Sequence, residues 1–237
     1  MGTLCRLVLG RGVTKRSLVG VLGKVSVKLT VRRCFEVRSK AMLEPENDYF
    51  KWQIPDGSRV RLTLLQEDDL EFLHQWKSQV NISYITSKAI QHISLEERQQ
   101  RFKEKIPSIF AIRRMIDNQF IGEISLYGLN PKNRSIGVGY FVGADYRQQG
   151  YTKEGLWLLL NYLFKVVGLN NVMADTGAFN QASIALLKSL GFQQDGCLRQ
   201  HQLLDGVLHD QLLFSLMAEE WRKLAERSSV SVKYEQG

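Results

Sequence analysis

The run Gly139-Tyr140-Phe141-Val142-Gly143-Ala144-Asp145-Tyr146-Arg147-Gln148-Gln149-Gly150-Tyr151-Thr152-Lys153-Glu154 carries a strand-like segment through a short loop directly into a long helical one. Gln148, Gln149, Gly150, Tyr151 and Thr152 present successive backbone N–H groups where that helix begins. Such a nest, backed by the helix dipole, suits a pyrophosphate. Gly150 admits a phosphate close to the backbone, and Arg147 and Lys153 add positive charge. The same residues also read as an ordinary strand-to-helix turn with a permissive glycine.

The surrounding pattern supplies the elements that would position this loop. Pro55-Asp56-Gly57 is a turn signal, and Val60 to Leu65 alternates as a short strand. Glu67, Asp68 and Asp69 put acids at a helix start, where the macrodipole favours them; Leu70, Phe72, Leu73 and Trp76 supply that helix's buried side. Ser94 and Glu97 form a capping box that opens a second helix to about Lys105, stopped by Pro107. Strands are expected at Ile109 to Arg113, Gln119 to Tyr127 and Ser135 to Val142. The helix after the loop, Thr152 to Val167, has Leu156, Leu159, Leu160, Leu163, Phe164 and Val167 at helical spacing. Asn171 to Thr176 is a strand. Asn180 caps another helix that ends before Gly191. Leu198 to Leu204 and Val207 to Met217 form a hairpin across Asp205-Gly206, and a helix near Glu219 to Arg227 closes the body. A meander followed by a βαβ crossover implies a mixed sheet with helices on both faces.

Composition narrows the function classes. The chain has 237 residues and 44% apolar content, enough for one good core. The formal charge of +8 is local to one end. Residues 1–40 hold ten Lys/Arg and one acid; removing them from totals of 32 and 24 leaves 22 basic against 23 acidic residues. The folded body is therefore nearly neutral, which argues against a nucleic-acid footprint on it. A nucleic-acid-binding protein led by its basic arm is the third functional reading. The Arg-rich, acid-poor start, with Leu18, Val21, Leu22 and Val25 on one helical face, has the composition of a mitochondrial transit peptide, and equally of a basic disordered tail. No stretch is long and apolar enough to span a bilayer, so no membrane role is expected. Cys5, Cys34 and Cys197 make neither a disulfide framework nor a metal motif, and four scattered histidines make no zinc site; a reducing compartment is expected.

Arg147-x-x-Gly150-x-Thr152 resembles the acetyl-CoA signature of the GNAT acetyltransferases, with Thr152 where that family usually has Gly or Ala. Asn180-x-x-Ser183 followed by Leu190-Gly191-Phe192 is similar to a second element of the family. Arg59-Val60-Arg61-Leu62 through Asp68-Asp69-Leu70, and Asp205 through Trp221, resemble its RimJ/RimL-type branch. The resemblance covers about residues 55–225, leaving 1–45 as a basic extension and 226–237 as a tail.

That likeness implies an α/β (α+β) fold with a mostly antiparallel sheet of six to seven strands. It also implies acetyl-CoA as donor and a primary amine, on a protein or a small molecule, as acceptor. The strands ending at Val142 and starting at Asn171 would splay apart, and backbone near Phe141 and Val142 would pair with the pantetheine arm. A backbone N–H near Val142 would meet the thioester oxygen. Arg147, Gln148, Gln149, Gly150, Tyr151 and Thr152 would hold the pyrophosphate, with Asn180 bonding the pantetheine or simply capping its helix. Glu123 is the carboxylate offered as base, although a solvated strand face is the more ordinary reading of it. The family's usual tyrosine acid is replaced by Leu187, so Ser183 is the next candidate proton donor, with a plain partner of the helix cap as its other reading. Tyr140 lines the cleft or packs, and His209 and Asp210 belong to acceptor-site structure. The alternative is an acyl-CoA-binding sensor or scaffold of the same fold that turns over poorly.

Overall fold

A computed structural model describes residues 54–79, 94–104 and 109–227. The basic extension, Lys105, Pro107 and the final ten residues lie outside them.

Seven strands make one sheet: β1 (Val60–Leu64), β2 (Ile109–Arg114), β3 (Phe120–Asn130), β4 (Ser135–Val142), β5 (Asn171–Gly177), β6 (Gln193–Leu204) and β7 (Val207–Met217). Their order across the sheet is β1-β2-β3-β4-β5-β7-β6. All neighbours are antiparallel except β4 and β5, which are parallel and joined by a crossover. The expected mixed, mostly antiparallel sheet is the one observed. Among the described residues five α-helices accompany it: α1 (Asp69–Gln79), α2 (Leu95–Glu104), α3 (Tyr151–Lys165), α4 (Gln181–Ser189) and α5 (Ala218–Arg227).

The sheet has a core on each face. On one, Val60, Leu62, Ile112, Ile124 and Val138 meet Leu156, Leu159 and Leu163 of α3, Ile184 and Leu187 of α4, and Trp221 of α5. Asn161, the polar break in α3's apolar stripe, is 2% exposed, and its Oδ1 accepts from Trp221 Nε1 at 3.2 Å. A buried amide thus finds a buried indole, as burial without penalty requires. On the other face, Leu70 and Leu73 of α1 meet Ala111, Phe120 and Phe141.

Helix α1 is fixed by charge as well. Asp69, its first residue, accepts Gln66 N–H at 2.9 Å and receives Arg113 Nη2 at 2.7 Å, both side chains being buried. Ser94 Oγ accepts Glu97 N–H at 3.1 Å, as the capping box demands. Gly191, just past α4, has φ +89° and ends that helix in the left-handed conformation. Asp205 and Gly206 both have positive φ, the requirement of a type I′ hairpin turn.

Three expectations need correction. Phe72 is half exposed: it flanks Trp76 and Phe120 on the rim of α1 instead of entering the core. Strand β6 begins at Gln193, five residues early, because register shifts between Gln194 and Gly196 and between Leu198 and Gln202 destroy its period-two signal. Strand β3 continues to Asn130, past a further irregularity after Tyr127.

Candidate active site

The site begins where the sheet parts. Strands β4 and β5 pair at Ser135–Asn171, Ile136–Val172 and Gly137–Met173. Beyond those pairs β4 runs on to Val142 and β5 to Gly177, bonded to their outer neighbours but not to each other. The expected splay is therefore present. Gly143 N–H donates to Ile121 O at 3.1 Å. In an antiparallel ladder the bonded pairs alternate, so the backbone groups of Tyr140 and Val142 face the split. Ala178 N–H donates to Asp210 O at 2.8 Å, which by the same alternation turns Asp175 and Gly177 towards it.

Glycines along β4 relieve crowding by aromatic rings rather than form a bulge in that strand. A Cβ on Gly137 would lie 2.3 Å from the Tyr127 ring, and one on Gly143 would lie 2.9 Å from Trp76.

After Val142 the chain makes a short 3-10 turn at Ala144–Tyr146, then the loop, then α3. Gln148 has φ +59° and Gly150, the N-cap, φ +80°. Alternating left-handed residues bring successive N–H groups to one side. The first bond into α3 is Glu154 N–H to Gly150 O, so the N–H groups of Tyr151, Thr152 and Lys153 begin the helix without intrahelical acceptors. Gln149 Nε2 folds back onto Asp145 O at 2.8 Å. Thr152 is half buried in the first turn.

Two arginines differ from the sequence reading. Arg147 Nε donates to Val142 O at 3.2 Å, with the guanidinium over Phe141. Arg59, from just before β1, instead crosses to the loop and donates Nη1 to Gln149 O at 2.9 Å. It also pairs with Glu154 at 3.1 Å. Burial pushes the Glu154 carboxyl up, but the backbone N–H of Arg59, the Ser58 hydroxyl and the Arg59 guanidinium outweigh it and hold it below the ordinary range. The absent Cβ of Gly150 makes room for Arg59 Nη2, which stands 2.9 Å from that position. Arg59 was hidden from sequence reasoning because its partners lie 90 and 95 residues away.

Just beyond β5, Asn180 Oδ1 accepts Ser183 N–H at 3.1 Å, so its oxygen is the N-cap of α4. Ser183 Oγ lies 2.7 Å from Tyr140 OH, a bridge between β4 and α4 across the gap. Burial raises the Tyr140 phenol to about 12, with the Ser183 hydrogen bond pulling the other way. It keeps its proton at neutral pH. Leu187 is 1% exposed and part of the core.

Glu123 lies opposite Phe141 on the α1 face, buried and ion-paired with Lys77. The solvated-strand reading of Glu123 is thereby overturned. A second carboxylate escaped the sequence reading. Asp175, two residues past the last β4–β5 pair, is exposed on the same face. It accepts from Tyr127 OH at 2.9 Å and from Gln211 Nε2. Both donors are neutral, and among the described residues Asp175 forms no ion pair. Nearby, His209 meets Phe179 edge-on, while Asp210 accepts Gln200 N–H at 2.9 Å and the Cys197 thiol. Those two bonds hold the Asp210 carboxyl below its ordinary range. No group of metal-ligating side chains is found among the described residues.

The chain belongs to the acetyltransferase (GNAT) domain family, whose profile matches residues 59–193. Over 116 residues it is 29% identical to the uncharacterized N-acetyltransferase YoaA of Bacillus subtilis, covering 49% of this chain and 66% of YoaA. Over 107 residues it is 29% identical to the putative ribosomal N-acetyltransferase YdaF of the same organism, covering 45% of this chain and 58% of YdaF. The alignments thus span about three fifths of these curated relatives. The fold matches the spermidine N-acetyltransferase of Vibrio cholerae, solved with CoA and spermine, at a TM-score of 0.64 and 19% identity, over 70% of this chain and 99% of that one.

Proposed function

We propose that this chain transfers an acetyl group from acetyl-CoA to a primary amine in a ternary complex. The observation that carries the reading is the split between β4 and β5, with the loop of Arg147 to Thr152 at its mouth. A pantetheine arm laid in the split meets the backbone of Tyr140 and Val142, and the diphosphate meets the N–H groups of Gln148 to Thr152.

The chemistry then divides among named groups. The neutral amine attacks the thioester carbonyl carbon, and the Val142 N–H faces the oxygen as charge develops there. The carbon–sulfur bond breaks. The leaving thiolate takes a proton from the Tyr140–Ser183 hydroxyl pair, which takes the part left vacant at Leu187, and the proton shed by the newly acylated nitrogen returns to that pair through solvent. Asp175, exposed beside the split and held by two neutral donors, takes the proton that the ammonium must lose before attack. Glu123 is a weaker choice for base, because Lys77 already occupies its carboxylate. Holding both reactants in one cleft supplies several kcal/mol of the barrier reduction.

A cationic acceptor suits the Asp175 side of the split. An N-terminal amine of a ribosomal protein or a polyamine fits, in line with the designation of YdaF as a putative ribosomal N-acetyltransferase and with the spermine in the Vibrio structure. Thiol release from acetyl-CoA tests the reading with the full-length chain and a panel of N-terminal peptides and polyamines. Turnover should fall by about 10²-fold or more in Asp175→Asn, as expected for loss of a general base. Tight acetyl-CoA binding without turnover on any amine would favour the sensor alternative.

A further inference from the structure

The signature arginine of this loop is not the residue standing over it. Arg147 is turned back along β4 by its bond to the Val142 carbonyl and its stacking on Phe141. Arg114 is likewise committed, to Asp117 and to Gln119 Oε1 at 2.7 Å, over the Tyr146 ring. Arg59 is placed differently. Its Nε is held by Glu154, its Nη1 by the Gln149 carbonyl, and its plane lies over Tyr151 with Cζ 5.3 Å from the ring centre. Its Nη2 projects over Gly150, the left-handed residue of the nest. The side chain is 52% exposed, so this face of the guanidinium is open to a ligand.

The clamp on Arg59 is built with some care. Glu154 Oε1 accepts both the Arg59 backbone N–H at 2.8 Å and the Ser58 hydroxyl at 3.0 Å. Gly57 leaves the space this carboxylate fills, since a Cβ there would lie 2.5 Å from Oε1. A half-exposed ion pair of this kind contributes little to stability. Its consequence is geometric: it aims a planar, always-charged fork at the site where a nest of N–H groups converges.

We propose that Arg59, rather than Arg147, is the cation that meets the diphosphate of the coenzyme, and that Glu154 positions it over Gly150. The inference rests on the acetyl-CoA reading above and adds a specificity-determining residue to it. Arg59 reads the phosphates of a nucleotide-bearing thioester and gives no purchase on the pantetheine arm alone.

Calorimetric titration of the full-length chain with CoA and with pantetheine, which carries no phosphate, tests this. Arg59→Ala should weaken CoA binding by about 10- to 100-fold, the range of a lost charge-assisted contact, and leave pantetheine binding unchanged. Arg59→Lys should restore part of the loss, and Arg147→Ala should cost about threefold or less. Glu154→Gln separates a ligand contact from a strut. It keeps the cation and removes its clamp, so CoA binding should weaken by about 3- to 10-fold, less than in Arg59→Ala, with pantetheine binding unchanged. The proposal is overturned if Arg59→Ala binds CoA normally, if CoA and pantetheine weaken together, or if Glu154→Gln loses as much affinity as Arg59→Ala. A chain that binds CoA with Arg59 irrelevant would refute this inference alone; one that binds no CoA would refute the acetyl-CoA reading as well.

Discussion

Gly137→Ala is predicted to be destabilising, against the usual direction for a glycine in a strand. A methyl at this position would stand 2.3 Å from Cε2, 2.6 Å from Cζ and 2.7 Å from Cδ2 of Tyr127. Those atoms belong to one flat ring lying on the glycine, so the whole ring must lift. Lifting it breaks the 2.9 Å bond from Tyr127 OH to Asp175. Alanine gains roughly 0.4–1 kcal/mol by restricting the unfolded chain. The lost bond to a charged acceptor costs roughly 1.5–3 kcal/mol, and exposure of Asp175 places it at the low end. The net is a loss of about 1 kcal/mol, or about 2–4 °C in Tm for a body of this size. Gly139→Ala is the internal control. Its methyl meets Ser125 Oγ at 3.0 Å, a hydroxyl that can rotate away by giving up only its long 3.4 Å bond to Gly139 O, and should be close to neutral. Thermal melts of full-length variants decide the matter, with Tyr127→Phe completing a double-mutant cycle. Because both changes remove the same bond, they should be far from additive. Gly137→Ala as stable as the unmodified chain, or strict additivity with Tyr127→Phe, would refute the reasoning.

Three further outcomes are expected. Burial pushes the Tyr140 phenol up to about 12 in the folded chain, above the usual value of about 10. A raised value means stability present below pH 10 and lost as pH climbs towards 12. Tyr140→Phe should therefore show a flatter alkaline stability profile, by up to roughly 2–3 kcal/mol at pH 12, and equal slopes in chemical denaturation would count against it. Asp69→Ala leaves buried Arg113 without its carboxylate. It should cost about 3–5 kcal/mol, read as a shift in urea midpoint, and a shift under 1 kcal/mol would mean the pair is not buried in solution. We propose that the basic extension directs mitochondrial import; residues 1–45 fused to a fluorescent protein should co-localise with mitochondria, and a diffuse signal would refute that.

Much of the scaffold was legible in the sequence because it follows local rules. Helix α3 announces itself through Leu156, Leu159, Leu160 and Leu163. The cap at Asn180, the stop at Gly191 and the turn at Asp205-Gly206 are each set by a residue type at a fixed offset. The loop's conformation was legible too, from Gly150. What escaped depends on contacts remote in sequence. Tyr140 and Ser183 are 43 residues apart, Tyr127 and Asp175 are 48 apart, and only the sheet order brings them together. Arg59 reads locally as the start of a strand, and nothing near it says that its guanidinium reaches the loop. Phe72 misleads as well: it sits beside the buried stripe of α1 but stays half exposed against Trp76 and Phe120.

The central claim is that the β4–β5 split and its loop hold acetyl-CoA. Its most direct test is calorimetric titration of acetyl-CoA into the full-length chain and into Gly150→Glu. That change puts a charged side chain at φ +80°, against Arg59 and into the nest. Saturable binding by the unmodified chain, lost in the variant, is the predicted result. Equal binding by both would contradict the account, and absence of binding by the unmodified chain would reduce the loop of Arg147 to Thr152 to a turn.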